Sequence, residues 1–300
     1  MKQNKTTESA ATVALDLAAR KLIDDASLAA ASSLVACVRP LLIVNDRGDP
    51  EPHASSVLLA IDDRYFLLSA AHAFDLAGKT TFLIATDTDL IPFEGTVHRT
   101  GISPAGTRDR DRLDVAFAEL TLALAGRIGA PKFLSVTNLD PNEISGPSRA
   151  YLILGYPVTR VRRDRKTKVI RRELMVYSNQ GVPSTAYQKL GLEPFVHLAV
   201  KFDRKRVIER GVQCIAPKLT GLSGCGVWRF DSLLGEGGGL GGDKLVAILN
   251  EHEPSNPKVL VATRVSVYLA AIGMVFPALA NSIPKLRRAR FNVQEISEIV

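Results

Sequence analysis

The sequence predicts an all-β protein of barrel or sandwich type, with helix at its start and again near its end. Three observations carry this expectation. Short apolar runs bounded by Gly, Pro, Asp and Asn recur from "RPLLIV" (39–44) to "KLVAILNE" (244–251), and many short strands at such spacing read as a barrel or sandwich. Residues 8–36 differ, being rich in Ala and Leu with scattered charges, a composition that suits one or two short helices. Gly, Pro and Asn cluster at about 125–145 between strand-like runs, which puts a boundary between two lobes there.

The elements follow in order. After "RPLLIV", the stretch "VLLAI-DD-RYFLL" reads as a hairpin turning at Asp62–Asp63. The runs "DVAFAEL", "RAYLILGYP", "PFVHLAVKF" and "KLVAILNE" supply further strands. "GEGGGLGGD" (235–243) reads as a flexible loop or wide turn. "RVSVYLAAIGMVFPAL" (264–279) reads as helix up to Pro277, and residues 281–300 as a charged tail.

Composition bounds the class. The 300 residues are 46% hydrophobic and 23% charged, near the globular average and enough for one large domain or two lobes. A net charge of +7 favours acidic partners or simple solubility. Cys37, Cys214 and Cys225 form no Cys-x-x-Cys pair, so a zinc ribbon or redox dithiol is not expected. No metal and no cofactor is called for. Asp16, Asp24 and Asp25 interrupt every apolar run near the start, so no signal peptide is read there. No run of about 20 apolar residues occurs, so no membrane span is expected. Together these features predict a cytoplasmic protein.

The chemistry-bearing stretch is "LTGLSGCGVW" (219–228). A serine hydroxyl is a weak nucleophile that needs a nearby base, a group orienting that base, and amides aimed at the developing oxyanion. Gly221 and Gly224 give the backbone around Ser223 unusual freedom, although a Gly-x-Ser-Gly turn alone is often only a turn. "YFLLSAAHAFD" ends an apolar strand with two alanines and His72, and a lone histidine in such a place is more often structural. In "DRDRLDVAFAEL", Asp114 precedes alternating apolar residues that draw it inward, where a carboxylate needs a partner. Asp109 and Asp111, among arginines, are expected in solvent. His53, His98 and His197 read as surface or packing residues.

Taken together, "SAAH" (69–72), "DVAF" (114–117) and "GLSGCG" (221–226) resemble the trypsin/chymotrypsin-like serine peptidases. The order His, Asp, Ser and the intervals of 42 and 109 residues fit that family. "YLILGYP" (151–157) is similar to a strand and turn of its bacterial intracellular members. The resemblance covers about residues 38–280. It implies two six-stranded antiparallel β-barrels, with an N-terminal helical extension (1–36), a first barrel (37–135), a second barrel with C-terminal helix (136–280), and a tail (281–300). It implies a serine endopeptidase acting through an acyl-enzyme: His72 as general base, Asp114 orienting it, Ser223 attacking, and the amides of Gly221 and Ser223 forming the oxyanion hole. The partner implied is a protein or peptide substrate, with a regulatory protein partner as a further option. The competing reading is a peptidase fold used as a binding module for nucleic acid or protein.

Two departures stand out. Leu222 occupies the place of the aspartate that secreted zymogens use for activation, and Cys225 replaces a glycine and reads as a small residue packed under the loop. Pro217 falls near the pocket-base position, so no trypsin-like preference for Lys or Arg is expected. Pro217, Lys218, Thr220, Asn250 and His252 are the expected pocket residues, Lys218, Thr220 and His252 suiting an acidic side chain. The basic stretches at 159–172 and 201–210 read first as solvated hairpins, with contact to nucleic-acid phosphates as the less favoured alternative.

Overall fold

A computed structural model describes residues 4–86, 89–101, 111, 113–164, 170–205, 207–209, 212–231, 242–252, 258–286 and 296–299, in parts as backbone only. The chain opens with α1 (Asn4–Leu34). One 31-residue helix replaces the one or two short ones expected, because neither Gly nor Pro interrupts the chain before Pro40. Its C-terminal end is held by packing: Ala30, Ala31 and Leu34 enter the core, and the Ser27 hydroxyl meets that of Ser178 at 3.1 Å.

The first sheet is built from β1 (Val38–Val44), β2 (Pro50–Ile61), β3 (Arg64–Ala70), β4 (Phe82–Ala85), β5 (Leu90–Pro92), β6 (Gly95–Thr100) and β7 (Val115–Leu120). The β2–β3 hairpin turns at Asp62–Asp63 as expected, pairing Ile61 with Arg64, and Asp62 takes a left-handed φ of 53° as a tight two-residue turn requires. Residues 121–149 then carry α2 (Leu122–Ile128), capped by the Thr121 hydroxyl, and several 3₁₀ turns.

The second sheet follows with β8 (Ala150–Gly155), a separate hairpin of β9 (Val161–Arg163) and β10 (Ile170–Arg172), and β11 (Met175–Gln180). After α3 (Ser184–Leu190) come β12 (His197–Lys201), β13 (Val207–Glu209), β14 (Val212–Cys214), β15 (Gly226–Arg229), β16 (Lys244–His252) and β17 (Val259–Arg264). The helix α4 (Val265–Val275) stops before Pro277, as the sequence predicts. Finally β18 (Ile296–Ile299) returns to pair with β6, so part of the expected tail is strand. Most of the glycine-rich stretch 235–243 lies outside the described residues.

The protein is thus mostly β, with two curled antiparallel sheets, each a half-barrel. Their orders are β18-β6-β7-β3-β2-β1-β4-β5 and β12-β17-β16-β15-β8-β11-β13-β14. The expected six strands per lobe become eight among the described residues, as β18 and short edge strands such as β14 extend the sheets. One apolar cluster spans both, joining Val57 and Leu68 of the first sheet to Leu154 and Trp228 of the second and to Leu269 of α4. Burial of that shared surface, non-directional and proportional to area, fixes the two sheets against each other. The edge between them carries the candidate chemistry. No described helix is long and apolar enough to cross a membrane.

Candidate active site

The base and its orienter meet where β3 ends and β7 begins. These strands pair with Ala70 opposite Val115, so the residues flanking that pair are forced together. His72 lies in the 3₁₀ turn Ala71–Phe74 that terminates β3. Asp114 contacts it three ways. Its carbonyl accepts from the Ala71 amide at 3.0 Å, its Oδ1 accepts from the His72 amide at 2.9 Å, and its Oδ2 lies 2.7 Å from His72 Nδ1. A carboxylate at Nδ1 fixes the proton there and leaves the lone pair of the neutral ring on Nε2. The Asp114 side chain is 10% exposed and that of His72 39%, so the acid is sheltered while the ring reaches solvent.

Asp114 adopts φ 47°, uncommon for a residue with a side chain. Strained backbone of this kind persists where the surroundings over-determine it, and here they do. The Asp114 amide donates to Asp111 Oδ1 at 2.9 Å, and Asp111 also accepts from the Thr100 hydroxyl at 2.6 Å. The Leu113 carbonyl accepts from the Thr263 hydroxyl at 2.6 Å and from the Asn250 amide at 3.2 Å. The second sheet therefore grips the segment that aims Asp114.

Ser223 sits in the turn before β15. Gly221 and Gly224 both take positive φ, 90° and 86°, which only glycine adopts without strain. A Cβ on Gly224 would collide with the Ser55 carbonyl and the Ser69 hydroxyl. Ser55, fully buried on β2, locks this turn with all its polar atoms. Its amide donates to the Ser223 carbonyl at 2.9 Å, its hydroxyl donates to the Gly221 carbonyl at 2.8 Å and accepts from the Tyr156 amide at 2.9 Å, and its carbonyl accepts from the Ser69 hydroxyl at 2.8 Å. Ser69 is three residues before His72, so the serine turn is fastened to the strand that delivers the histidine. The amides of Leu222, Gly224 and Cys225 are engaged by Leu219, Leu249 and Leu222 carbonyls. Those of Gly221 and Ser223 donate to none of the described residues, as an anion-binding pair requires.

No protein-family model matches the sequence, and neither does any curated protein. Solved structures with a similar chain path include the following three. The active form of the Rv3671c protease of M. tuberculosis aligns at 14% identity over 83% of this chain and 84% of its own, with a TM-score of 0.44. A scabies mite inactivated protease paralogue, S-D1, aligns at 12% over 82% and 94%, TM-score 0.49. Neuropsin, a serine protease of mouse brain, aligns at 13% over 82% and 96%, TM-score 0.48. At such identities the likeness concerns chain architecture and not activity.

The remaining expectations fare unevenly. Pro217 is half-buried, and Lys218 and Thr220 are exposed on the segment leading to Ser223. Asn250 does not face a pocket: it is 4% exposed, and its side chain holds Leu113 and the Thr263 hydroxyl, 2.6 Å away. It sits at a register shift of β16, between Leu249 and Glu251. His252 ends β16, and its side chain lies outside the described residues, as does Asp109. Asp111, expected in solvent, instead supports Asp114, because the chain must bend sharply before β7. Cys225 is fully buried against Gly155, and burial pushes its thiol well above the ordinary range, so it packs under the loop. His98 stacks on Phe117 at 5.1 Å, and His197 accepts from the Glu193 amide at 3.1 Å; both are packing residues. His53 contacts the Ala73 carbonyl through Nε2 at 2.8 Å.

Two supporting residues escaped the sequence reading. Ser55 lies in an alternating strand with nothing local to mark it. Tyr268 of α4 donates its hydroxyl to the Ser69 carbonyl at 2.9 Å. Burial, followed by the charges of Asp114 and Asp111, raises its pKa well above the tyrosine norm, so it stays a neutral donor.

Proposed function

We propose that the chain is a serine endopeptidase of chymotrypsin-like type, with residues 37–135 and 136–280 as its two lobes, 1–36 as a helical extension and 281–300 as a terminal segment. His72 Nε2 takes the Ser223 hydroxyl proton as Oγ attacks the scissile carbonyl. The resulting oxyanion is met by the Gly221 and Ser223 amides. The imidazolium, steadied by Asp114, gives its proton to the leaving amine, and an acyl-enzyme on Ser223 remains. Water, deprotonated by His72, releases the acid product and restores the hydroxyl.

The observation that most supports this reading is the double grip of Asp114 on His72, through both the ring and the backbone amide. A purely structural histidine needs no oriented lone pair at a half-exposed position. Three free cysteines suit a reducing compartment, so the cytoplasm is the proposed location.

Incubation of the purified full-length protein with a peptide library, followed by mass spectrometry, tests the activity. Cleavage products are expected from the native chain and none from Ser223→Ala. Equal cleavage by both proteins counts against Ser223 as the nucleophile, and none by either with the fold intact counts for a binding module.

A further inference from the structure

The hairpin β9–β10 places charge where a sheet would not choose it. Opposite residues of an antiparallel pair share a face, and here Arg171 lies opposite Arg162. The other face is anchored: Val161 is buried, Arg163 pairs with Asp49 at 3.3 Å, and Arg172 donates to the Thr86 carbonyl at 2.6 Å. Strand alternation therefore turns Arg162 and Arg171 together to the outside, both exposed, and like charges directly opposite are destabilising. They do not simply face bulk water. With Arg160, Glu173, Ile215 and Pro217 they line a cavity of about 480 Å³. Among the described residues its formal balance is three arginines against one glutamate, a net +2. Its Ile215–Pro217 wall belongs to the segment that runs into the Ser223 turn, and the Val158 amide ties the hairpin base to the Thr220 carbonyl at 2.9 Å.

We infer that this cavity is a subsite for an acidic side chain, Asp or Glu, of an extended peptide lying along the Ser223 turn. The inference deepens the peptidase reading and rests on it only for the word substrate. A concave site of this size has room for a side chain, and planar guanidinium groups match a carboxylate bidentately. A nucleic-acid track is the weaker fit, since no aromatic side chain among the described residues lines the cavity for base stacking. The sequence expectation of an acidic preference is retained, but its cations come from the hairpin and not only from Lys218.

The test is equilibrium binding, so it does not depend on turnover. Full-length Ser223→Ala protein is titrated with a fluorescent Glu/Asp-containing octapeptide and with its Gln/Asn counterpart, at low and at physiological salt. The acidic peptide should bind about tenfold more tightly, and the advantage should shrink with salt. Adding Arg162→Ala and Arg171→Ala should erase that advantage, Arg162→Lys with Arg171→Lys should restore part of it, and Lys189→Ala, on α3, should leave it intact. Thermal melts establish that each variant is folded. Equal binding of the two peptides overturns the inference, as does a preference that survives the double alanine change. Binding of a single-stranded oligonucleotide of equal charge as tightly as the acidic peptide overturns it in favour of a phosphate site. Absence of Ser223 chemistry in the native protein, with the acidic preference intact, would refute the peptidase reading alone.

Discussion

At the scale of single residues, the account turns on Asp114. Its carboxylate orients His72, so Asp114→Asn should leave the fold in place yet lower kcat by roughly 10⁴-fold, because the amide no longer fixes the productive tautomer. Steady-state kinetics on the variant read this directly; a loss under tenfold would show that Asp114 only caps the strand. Ser55 is the second such residue. Ser55→Ala removes the donor to the Gly221 carbonyl and the acceptor for the Tyr156 amide, buried groups whose loss should cost about 1–3 kcal/mol in chemical denaturation. It should also depress kcat more than it raises KM, since the amides proposed to meet the oxyanion belong to that turn. His72, Asp114 and Ser223 could be proposed from the sequence because three short patterns, each weak alone, fall in one order. Ser55 and Tyr268 could not, because what matters about them is which distant carbonyl they reach.

At the scale of elements, two short segments decide the geometry. The serine turn depends on Gly224, whose φ and lack of room both exclude a side chain. Gly224→Ala should therefore destabilise by several kcal/mol or displace the turn, whereas Gly126→Ala, on the open face of α2 where a Cβ meets nothing within 4 Å, should be neutral or slightly stabilising; paired thermal melts compare the two. The histidine turn depends on His53, whose Nε2–H donates to the Ala73 carbonyl. Burial holds the His53 ring below its ordinary value of 6.5. The unfolded chain thus binds that proton first, and the stability tied to His53 is complete above pH 6.5 and lost as pH falls toward the lower folded value. Denaturation at pH 7.5 and 5.5 should show this decline, and His53→Gln should reduce it. An unchanged decline would assign the acid sensitivity elsewhere. The β2–β3 hairpin and the Pro277 end of α4 were readable from turn and breaker residues. The length of α1 and the pairing of β18 were not, since long-range packing and a free sheet edge leave no local mark.

At the scale of the whole molecule, the two sheets act as one device. The buried pair of Arg264 with Glu143, 2.8 Å apart, joins the end of β17 to the connection between the sheets, and Tyr151 donates to the same carboxylate at 2.6 Å. Glu143→Ala should cost about 3–5 kcal/mol by leaving the guanidinium buried without its counter-charge, a change visible in the unfolding midpoint. The glycine, proline and asparagine cluster at 125–145 falls in the connection between the two sheets, between β7 and β8, whereas the return of β18 to the first sheet has no such mark. The expectation for Asn250 failed at this scale, because only the assembled sheets show it clasping Leu113 from the opposite lobe. The central claim is that side chains from both sheets form a single nucleophilic site. Reaction with a fluorophosphonate, read by intact mass and peptide mapping, tests it most directly. The account predicts one adduct, on Ser223, lost in His72→Ala and strongly slowed in Asp114→Asn. A folded protein that gains no adduct, or one labelled at Ser223 as fast without His72 as with it, would contradict it.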